Sequence, residues 1–179
     1  MNLNKTRVYL SGCVESSNDP YSWRTEITPQ LENMGIIVLN PLIKPKWMPQ
    51  INAQQQLEMK KKLIINENIS QIQVENNIIR QYCLALVRMC DFMIVNIDRT
   101  FTAGVFEEIS LATHKPHFII SDTEIPSLWL VDQLNYYTKH DRDLYCHKTI
   151  NSLIMKLQAI HKGEEQLDNL KWIFLSYNA

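Results

Sequence analysis

The sequence predicts a single α/β domain, a three-layer sandwich around a central, mostly parallel, doubly wound sheet of five strands. Short apolar runs alternate along the chain with longer segments of helical periodicity, the pattern of strands and helices in an α/β protein. The apolar runs at 92–97 and 117–120 flank a helical segment, and a strand–helix–strand unit of this kind joins parallel strands. The 179 residues, 45% of them apolar, suffice for one domain with a core.

Turn residues bound the elements of the first half of the chain. Gly12 ends the first apolar run, and Asp19-Pro20 starts a helix that Gly35 closes as its C′ cap. Asn40-Pro41 ends the second strand, and the proline-rich segment after it is incompatible with regular structure. The predicted elements of this half are strands at 7–11 and 36–39 and helices at 22–34 and 54–65.

The spacing of apolar residues predicts the elements of the second half of the chain. Apolar residues at helical spacing predict a helix at 77–90, which leads into the buried strand 92–97. A helix that begins near Gly104 and ends near His114 precedes the strand 117–120, and further helices are predicted at 128–137 and 149–160. Residues 1–162 form the α/β domain. Residues 163–179 form a tail whose apolar, aromatic end we expect to dock on its own body or on a partner subunit.

Composition narrows the function classes. A formal net charge of −1 provides no strong field for nucleic acid or an anionic membrane. No apolar run is long enough to cross a bilayer and the polar N-terminus is no signal peptide, so a cytoplasmic protein is expected. The four cysteines have no paired spacing and are expected to be free thiols. Neither a metal nor a cofactor is expected, since no ligand spacing, Gly-x-Gly-x-x-Gly or Walker pattern is present.

Chemistry is expected at the carboxyl ends of the first and third strands. Ligands bind at this edge of parallel sheets, and Gly12 and Gly104 stand there, either as tight turns or as points of close ligand approach. Glu107 and Glu108 follow in what the pattern predicts to be the first helical turn. From the residues alone, these acids also fit a purely structural role as partners of the helix dipole.

Six short motifs occur in a characteristic order between residues 7 and 120: Tyr9-Leu10-Ser11-Gly12, Trp23-Arg24, Asn40-Pro41, Asp91 before the third strand, Gly104-Val-Phe-Glu-Glu108-Ile-Ser-Leu-Ala112, and Lys115-Pro116. In this order and spacing the chain resembles the nucleoside 2-deoxyribosyltransferases and their relatives, the deoxynucleoside 5′-monophosphate N-glycosidases. The predicted sheet is of the Rossmann or flavodoxin-like kind, and the resemblance implies an enzyme that acts on the N-glycosidic bond of a 2′-deoxynucleoside or its 5′-monophosphate.

The resemblance also implies roles for individual residues. Glu108 takes the position of the nucleophile, which attacks the anomeric carbon and forms a covalent glycosyl ester before transfer to another base or to water. Asp98 is the second candidate catalytic residue, Glu107 remains a surface acid, and the helix N-terminus is expected to keep Glu108 ionised. The candidate substrate-binding residues are Ser11, Gly12, Trp23, Arg24, Asn40, Cys83, Thr102 and Gly104.

Further ligand contacts follow from the same comparison. Arg24 or Arg99 is available as a cation for a 5′-phosphate. Tyr9, Trp23 or Trp47 is available to stack on the base, or to lie in the core instead. Family members complete their pocket across a subunit interface, so a homo-oligomer is expected, with segment 134–137 and residues 177–178 as donors.

One departure from the family pattern leaves alternatives open. Cys83 stands where the family has an aspartate that assists departure of the base, and a thiol is a poor acid at neutral pH. A nucleotide-binding module that has lost turnover is therefore the alternative function, and a related enzyme that cleaves NAD-type ribosides is a third. The base, the 5′-phosphate and the choice between hydrolysis and transfer stay open.

Overall fold

A computed structural model describes residues 2–14, 17, 19–50, 52, 54–55, 58, 61, 69–97, 102–122, 130, 139–167 and 171–177. It confirms the predicted fold class, with five parallel strands in the order β2-β1-β3-β4-β5. This is the flavodoxin-like order. The elements are β1 (Arg7–Gly12), α1 (Ser22–Glu32), β2 (Ile37–Leu39), α2 (Ile69–Met89), β3 (Phe92–Asn96), α3 (Ala103–Leu111), β4 (His117–Ile120), α4 (Lys139–Tyr145), β5 (Cys146–His147), α5 (Ile150–Lys162) and a final 3₁₀ helix (Ile173–Tyr177).

The predicted bounds of β1 to β4 agree with the structure to within one residue. Helix α1 ends at Glu32, earlier than the predicted residue 34. Gly35 adopts a left-handed φ of 74°, and its N–H donates to the carbonyl of Glu32 at 2.8 Å, so it closes the turn after α1 as expected. Helix α2 begins at Ile69, two turns before the predicted residue 77.

Two predicted helices fall largely outside the described residues. Of the segment 54–65, Gln54, Gln55, Glu58 and Lys61 are described, and they are helical. Of the segment 128–137, Leu130 is described, and it is helical and buried. No helix in the described part of the chain is both long and apolar enough to span a membrane.

The sheet core positions the site. Strands β1, β3 and β4 are buried along nearly their whole length, as expected for strands covered by helices on both faces. In the parallel register of β1 and β3, Ser11 lies beside Val95 and Gly12 beside Asn96. The chain leaves β1 toward β2 on one side and returns to β3 on the other. The carboxyl ends of β1 and β3 therefore form the point where strand order reverses, the usual ligand crevice of such a sheet.

Two motif residues, Asp91 and Lys115, make polar contacts that stabilise the amino-terminal side of the sheet. The Asp91 carboxylate accepts hydrogen bonds from the backbone N–H of Arg7 at 2.7 Å and from its guanidinium at 2.8 Å, which ties the start of β1 to β3. The Lys115 ammonium donates to the carbonyls of Val87 at 2.8 Å and Cys90 at 2.7 Å. It thereby satisfies carbonyls at the carboxyl end of α2 that have no partner within the helix.

The apolar tail docks on its own chain. Trp172 and Leu175 are each 2% exposed. The Trp172 ring lies 6.0 Å from that of Phe92 and 5.9 Å from that of Phe118, and its Nε1 donates to the Tyr145 hydroxyl at 2.8 Å. Because these side chains are covered within one protomer, the tail no longer argues for an oligomer. The homo-oligomer stays a prediction, and its expected donors 134–137 and 178 lie outside the described residues.

Candidate functional site

A cavity of about 540 Å³ opens at the carboxyl edge of the sheet, beyond the end of β1 and beside the start of α3. Its wall combines the end of β1, helix α1, the loop after β2, helix α2 and the start of α3. Of the sequence-predicted site residues, it brings together Gly12, Arg24, Cys83, Thr102, Gly104 and Glu108. This volume is in the usual range for small-molecule sites.

The Glu108 carboxylate is held by two hydroxyl groups of β1. The Tyr9 hydroxyl donates to Oε1 at 2.7 Å, and the Ser11 hydroxyl donates to Oε2 at 2.5 Å. Tyr9 and Ser11 are two positions apart on one strand, so their side chains point to the same face of the sheet. Both residues are fully buried. The sheet therefore fixes each carboxylate oxygen of α3 in a defined orientation beside the cavity.

Opposing effects set the protonation of Glu108. Burial raises its pKa above the ordinary value for a glutamate, while the hydrogen bonds from Ser11 and Tyr9 and the charge of Arg24 lower it. The expected support from the first turn of α3 is not observed. The helix begins at Ala103 with Thr102 as N-cap and has no acidic residue in its first turn, so Glu108 lies beyond the turn in which the dipole acts. The β1 hydroxyls and Arg24 provide the stabilisation of the anion instead.

Glu107 makes a different set of contacts. Both of its carboxylate oxygens accept hydrogen bonds from the Arg80 guanidinium of α2, the Oε2 contact at 2.7 Å. The hydrogen bond from Arg80 lowers the Glu107 pKa. Both side chains are more than a third exposed. Glu107 is thus an ion-paired acid at the rim of the cavity, and Glu108 is the buried one.

Cys83 projects from α2 into the cavity wall. Burial, followed by the negative charge of Glu108, raises the pKa of its thiol to about 11. The side chain is therefore a neutral thiol at physiological pH and neither a thiolate nucleophile nor an effective acid.

Arg24 is a buried cation beneath the cavity, with 1% of its surface exposed. Its guanidinium donates to the carbonyls of Pro20 at 2.5 Å and Gly12 at 3.1 Å and stacks over the Trp23 ring at 4.5 Å. Burial lowers its pKa to about 10, which leaves it charged at neutral pH. Arg24 therefore shapes the loop after β1 and places a positive charge near Glu108.

The two site glycines act differently. A Cβ on Gly12 would meet Trp23 at 3.1 Å and the carbonyl oxygen of Asn96 at 3.2 Å, so glycine permits close packing there without a left-handed φ. At Gly104 the nearest atom to an added Cβ is the Thr102 Oγ1 at 4.0 Å. Gly104 therefore leaves open space at the cavity, while Thr102 caps α3 by accepting from the Val105 N–H.

Several residues predicted as ligand contacts lie outside the cavity lining. Tyr9 and Trp23 belong to the hydrophobic core and do not line the cavity, which is the alternative that the sequence left open for them. Trp47 is 74% exposed and also lies outside the cavity lining. Asn40 uses its side chain to accept from the N–H of Leu42 at 3.0 Å, which shapes the loop after β2. The other candidates, Asp98 and Arg99, lie outside the described residues.

Three features of the cavity were not predicted from the sequence. No role was predicted for Lys44 or Arg80, which both line the cavity, and Tyr9 was not paired with Glu108. The contact of Tyr9 with Glu108 could have been predicted. Side chains alternate between the two faces of a strand, so Tyr9 and Ser11 lie on the same face. Within the described ranges, no group of three or more histidine, cysteine or acidic side chains is close enough to hold a metal ion.

The sequence matches no protein-family model and no curated protein. The functional interpretation therefore depends on the geometry of the cavity and on the motif resemblance.

Proposed function

We propose that this protein cleaves or transfers at the N-glycosidic bond of a 2′-deoxynucleoside or its 5′-monophosphate, through a covalent glycosyl ester on Glu108. The observation that supports the proposal best is the Glu108 carboxylate, oriented by Tyr9 and Ser11 at the wall of a nucleoside-sized cavity. The resemblance of the motif Gly104–Ala112 to the deoxyribosyltransferases supports the same residue. A cytoplasmic homo-oligomer is part of this proposal.

The chemistry requires an oriented anion. Departure of the base leaves positive charge on the sugar ring, which a nearby carboxylate stabilises and then traps as an ester. Two neutral hydroxyl donors orient the carboxylate without neutralising its charge. An oxygen of this anion therefore stays able to form the bond to the anomeric carbon. Arg80 forms its ion pair with Glu107 and not with Glu108, so the Glu108 carboxylate is available to the sugar.

A second candidate is a nucleotide-binding module without turnover. The observation in its favour is the Cys83 thiol, whose pKa of about 11 makes it a poor proton donor where relatives have an acid. Such a module would bind the same ligands in the same cavity, and it would release no free base.

The first prediction concerns Glu108→Gln, with Glu107→Gln as its matched neighbour. Incubated with a panel of deoxynucleosides, their 5′-monophosphates and NAD, the wild-type protein should release a free base. The Glu108→Gln variant should lose this activity by about 1,000-fold or more because the nucleophile is gone. The Glu107→Gln variant should retain most of it. Release of base should be followed by chromatography, and the ester on Glu108 should be sought by peptide mass analysis with a slow 2′-fluoro substrate.

Folding of the variants serves as the control. Because the folded state raises the Glu108 pKa, the ionised carboxylate opposes folding, so Glu108→Gln should unfold at the same or a higher temperature at neutral pH. Equal activity of the wild type and both variants would contradict a mechanism in which Glu108 is the nucleophile. Tight ligand binding by a wild-type protein that releases no base would favour the binding module.

A further inference from the structure

The loop after β2 brings Lys44 into the wall of the same cavity as Glu108 and Cys83. Lys44 precedes Pro45, which restricts its backbone to extended conformations. The hydroxyl of Tyr82 donates to the carbonyl of Ile43 at 3.2 Å, which attaches this loop to α2. The attachment is adjacent in sequence to both Lys44 and Cys83, so the lysine is held near the thiol.

Electrostatics places Cys83 within reach of two opposite charges. The pKa of its thiol is raised by burial and by Glu108 and lowered by Lys44. Burial also lowers the pKa of the Lys44 ammonium itself, while Cys83 raises it. The carboxylate of Glu108 and the ammonium of Lys44 therefore both act on Cys83, and all three residues line the same cavity.

Three cationic side chains line the described part of the cavity: Arg24, Lys44 and Arg80. A guanidinium does not give up a proton in proteins. An ammonium with a lowered pKa can both donate a hydrogen bond and release a proton. Lys44 is thus the cation among these three that is suited to acid catalysis.

We propose that Lys44 is the catalytic acid that protonates the departing base; this inference rests on the proposed function. As an oxygen of Glu108 bonds to the anomeric carbon, the bond from that carbon to the base nitrogen breaks and its electron pair stays on the base. A proton passes from the Lys44 Nζ to a base nitrogen, which yields a neutral base and a neutral amine. The amine then regains a proton from water.

The test compares Lys44→Met with Lys46→Met, a lysine two residues away that is exposed and does not line the cavity. Each is assayed on the deoxynucleoside or monophosphate that the wild type cleaves fastest. Each is also assayed on an analogue whose base departs more easily without an acid, made by N7-methylation of a purine or 5-fluorination of a pyrimidine. For Lys44→Met we expect kcat/KM to fall about 100-fold or more on the natural base and less than about 5-fold on the activated base, because that base requires little proton donation. Lys46→Met should behave as wild type on both substrates.

Lys44→Arg refines the assignment, since it retains the charge without a transferable proton, and it should remain impaired on the natural base. Equal losses on both substrates would overturn the proposal, since they indicate binding or structure rather than proton transfer. Unchanged activity of Lys44→Met would overturn it as well. A wild-type protein that cleaves no deoxynucleoside would instead contradict the proposed function, so the two failures are distinguishable. Thermal unfolding of each variant verifies the fold.

Discussion

At the scale of single residues, the site depends on which side chain each carboxylate contacts. Glu107 and Glu108 are neighbours on one helix, yet an exposed guanidinium lowers the pKa of the first and burial raises the pKa of the second. The hydroxyls of Tyr9 and Ser11 counteract that burial. They orient the Glu108 carboxylate, and they keep a larger fraction of this side chain ionised.

Removal of either hydroxyl should therefore change the pH dependence of activity. The hydrogen bonds of Tyr9 and Ser11 lower the Glu108 pKa, so Tyr9→Phe and Ser11→Ala should raise it. The reactive anion is then lost at a higher pH on acidification, and the acidic limb of the profile of kcat/KM against pH should move to higher pH in both variants. A hydrogen bond to a charged group contributes about 1.5–3 kcal/mol, so activity on the acid side should fall roughly tenfold or more.

Ser110→Ala provides the control for this pair, because the Ser110 hydroxyl donates to the carbonyl of Phe106 within α3. Its pH profile should coincide with that of the wild type. An acidic limb that stays in place in Tyr9→Phe and Ser11→Ala would show that Glu108 does not govern it.

The sequence allowed part of the site to be predicted. The family resemblance, counted from Gly104, favoured Glu108 over Glu107, and the helical stripe of α2 included Cys83, which does line the cavity. The aromatic residues were harder, because a strand residue faces either the core or the ligand and composition does not decide which. Lys44 could not be predicted, since it lies in an irregular loop with no periodicity to define its orientation.

At the scale of elements, predictability followed the strength of the local pattern. Continuous apolar runs located β1, β3 and β4 because strands covered on both faces need them. Strand β5 was not located, since two residues, Cys146 and His147, are too few for any pattern. The first turns of α2 were missed because the apolar stripe becomes clear only further along the helix, and packing against other elements determines where it begins.

Lys115 should contribute measurably to stability through the end of α2. Its ammonium donates to three carbonyls near that end, those of Val87, Arg88 and Cys90. In Lys115→Met these carbonyls lose a charged donor, so the free energy of unfolding should fall by about 1–3 kcal/mol. Chemical denaturation of this variant should be compared with Lys148→Met, which changes an exposed lysine and should have an effect within about 0.5 kcal/mol. Equal stabilities of the two variants would contradict a capping role.

At the scale of the whole molecule, the fold class followed from the alternation of elements. The expectation that the first and third strands flank the crevice came from the general behaviour of doubly wound sheets, since no local pattern in the sequence pairs one strand with another. The sequence left open whether the tail packs on its own body or on a partner, because the surface that Trp172 contacts exists only in the assembled sheet. Trp172 fills that surface beside Phe92 and Phe118.

Truncation of Trp172 should therefore destabilise the whole domain. Trp172→Ala removes a fully buried aromatic side chain and its hydrogen bond to Tyr145, so we expect a loss of about 3–5 kcal/mol. Ile173→Ala, at a neighbouring residue that is 53% exposed, should cost less than about 0.5–1 kcal/mol. Denaturant titration measures both. A tail that contributes only to an interface would instead give two small losses that depend on protein concentration.

The contacts of Glu108 also have a kinetic consequence. The carboxylate lies 99 residues from Tyr9 and 97 from Ser11 along the chain, and the two segments meet only after β1 has paired with β3, from which β2 and the helices around it separate it in sequence. Contacts of such long range form late, since loop-closure entropy opposes them. During refolding, helical signal should therefore return first, and catalytic competence should appear with the slowest phase that completes the sheet. Under the proposed function, the return of base release should therefore report the last step of folding.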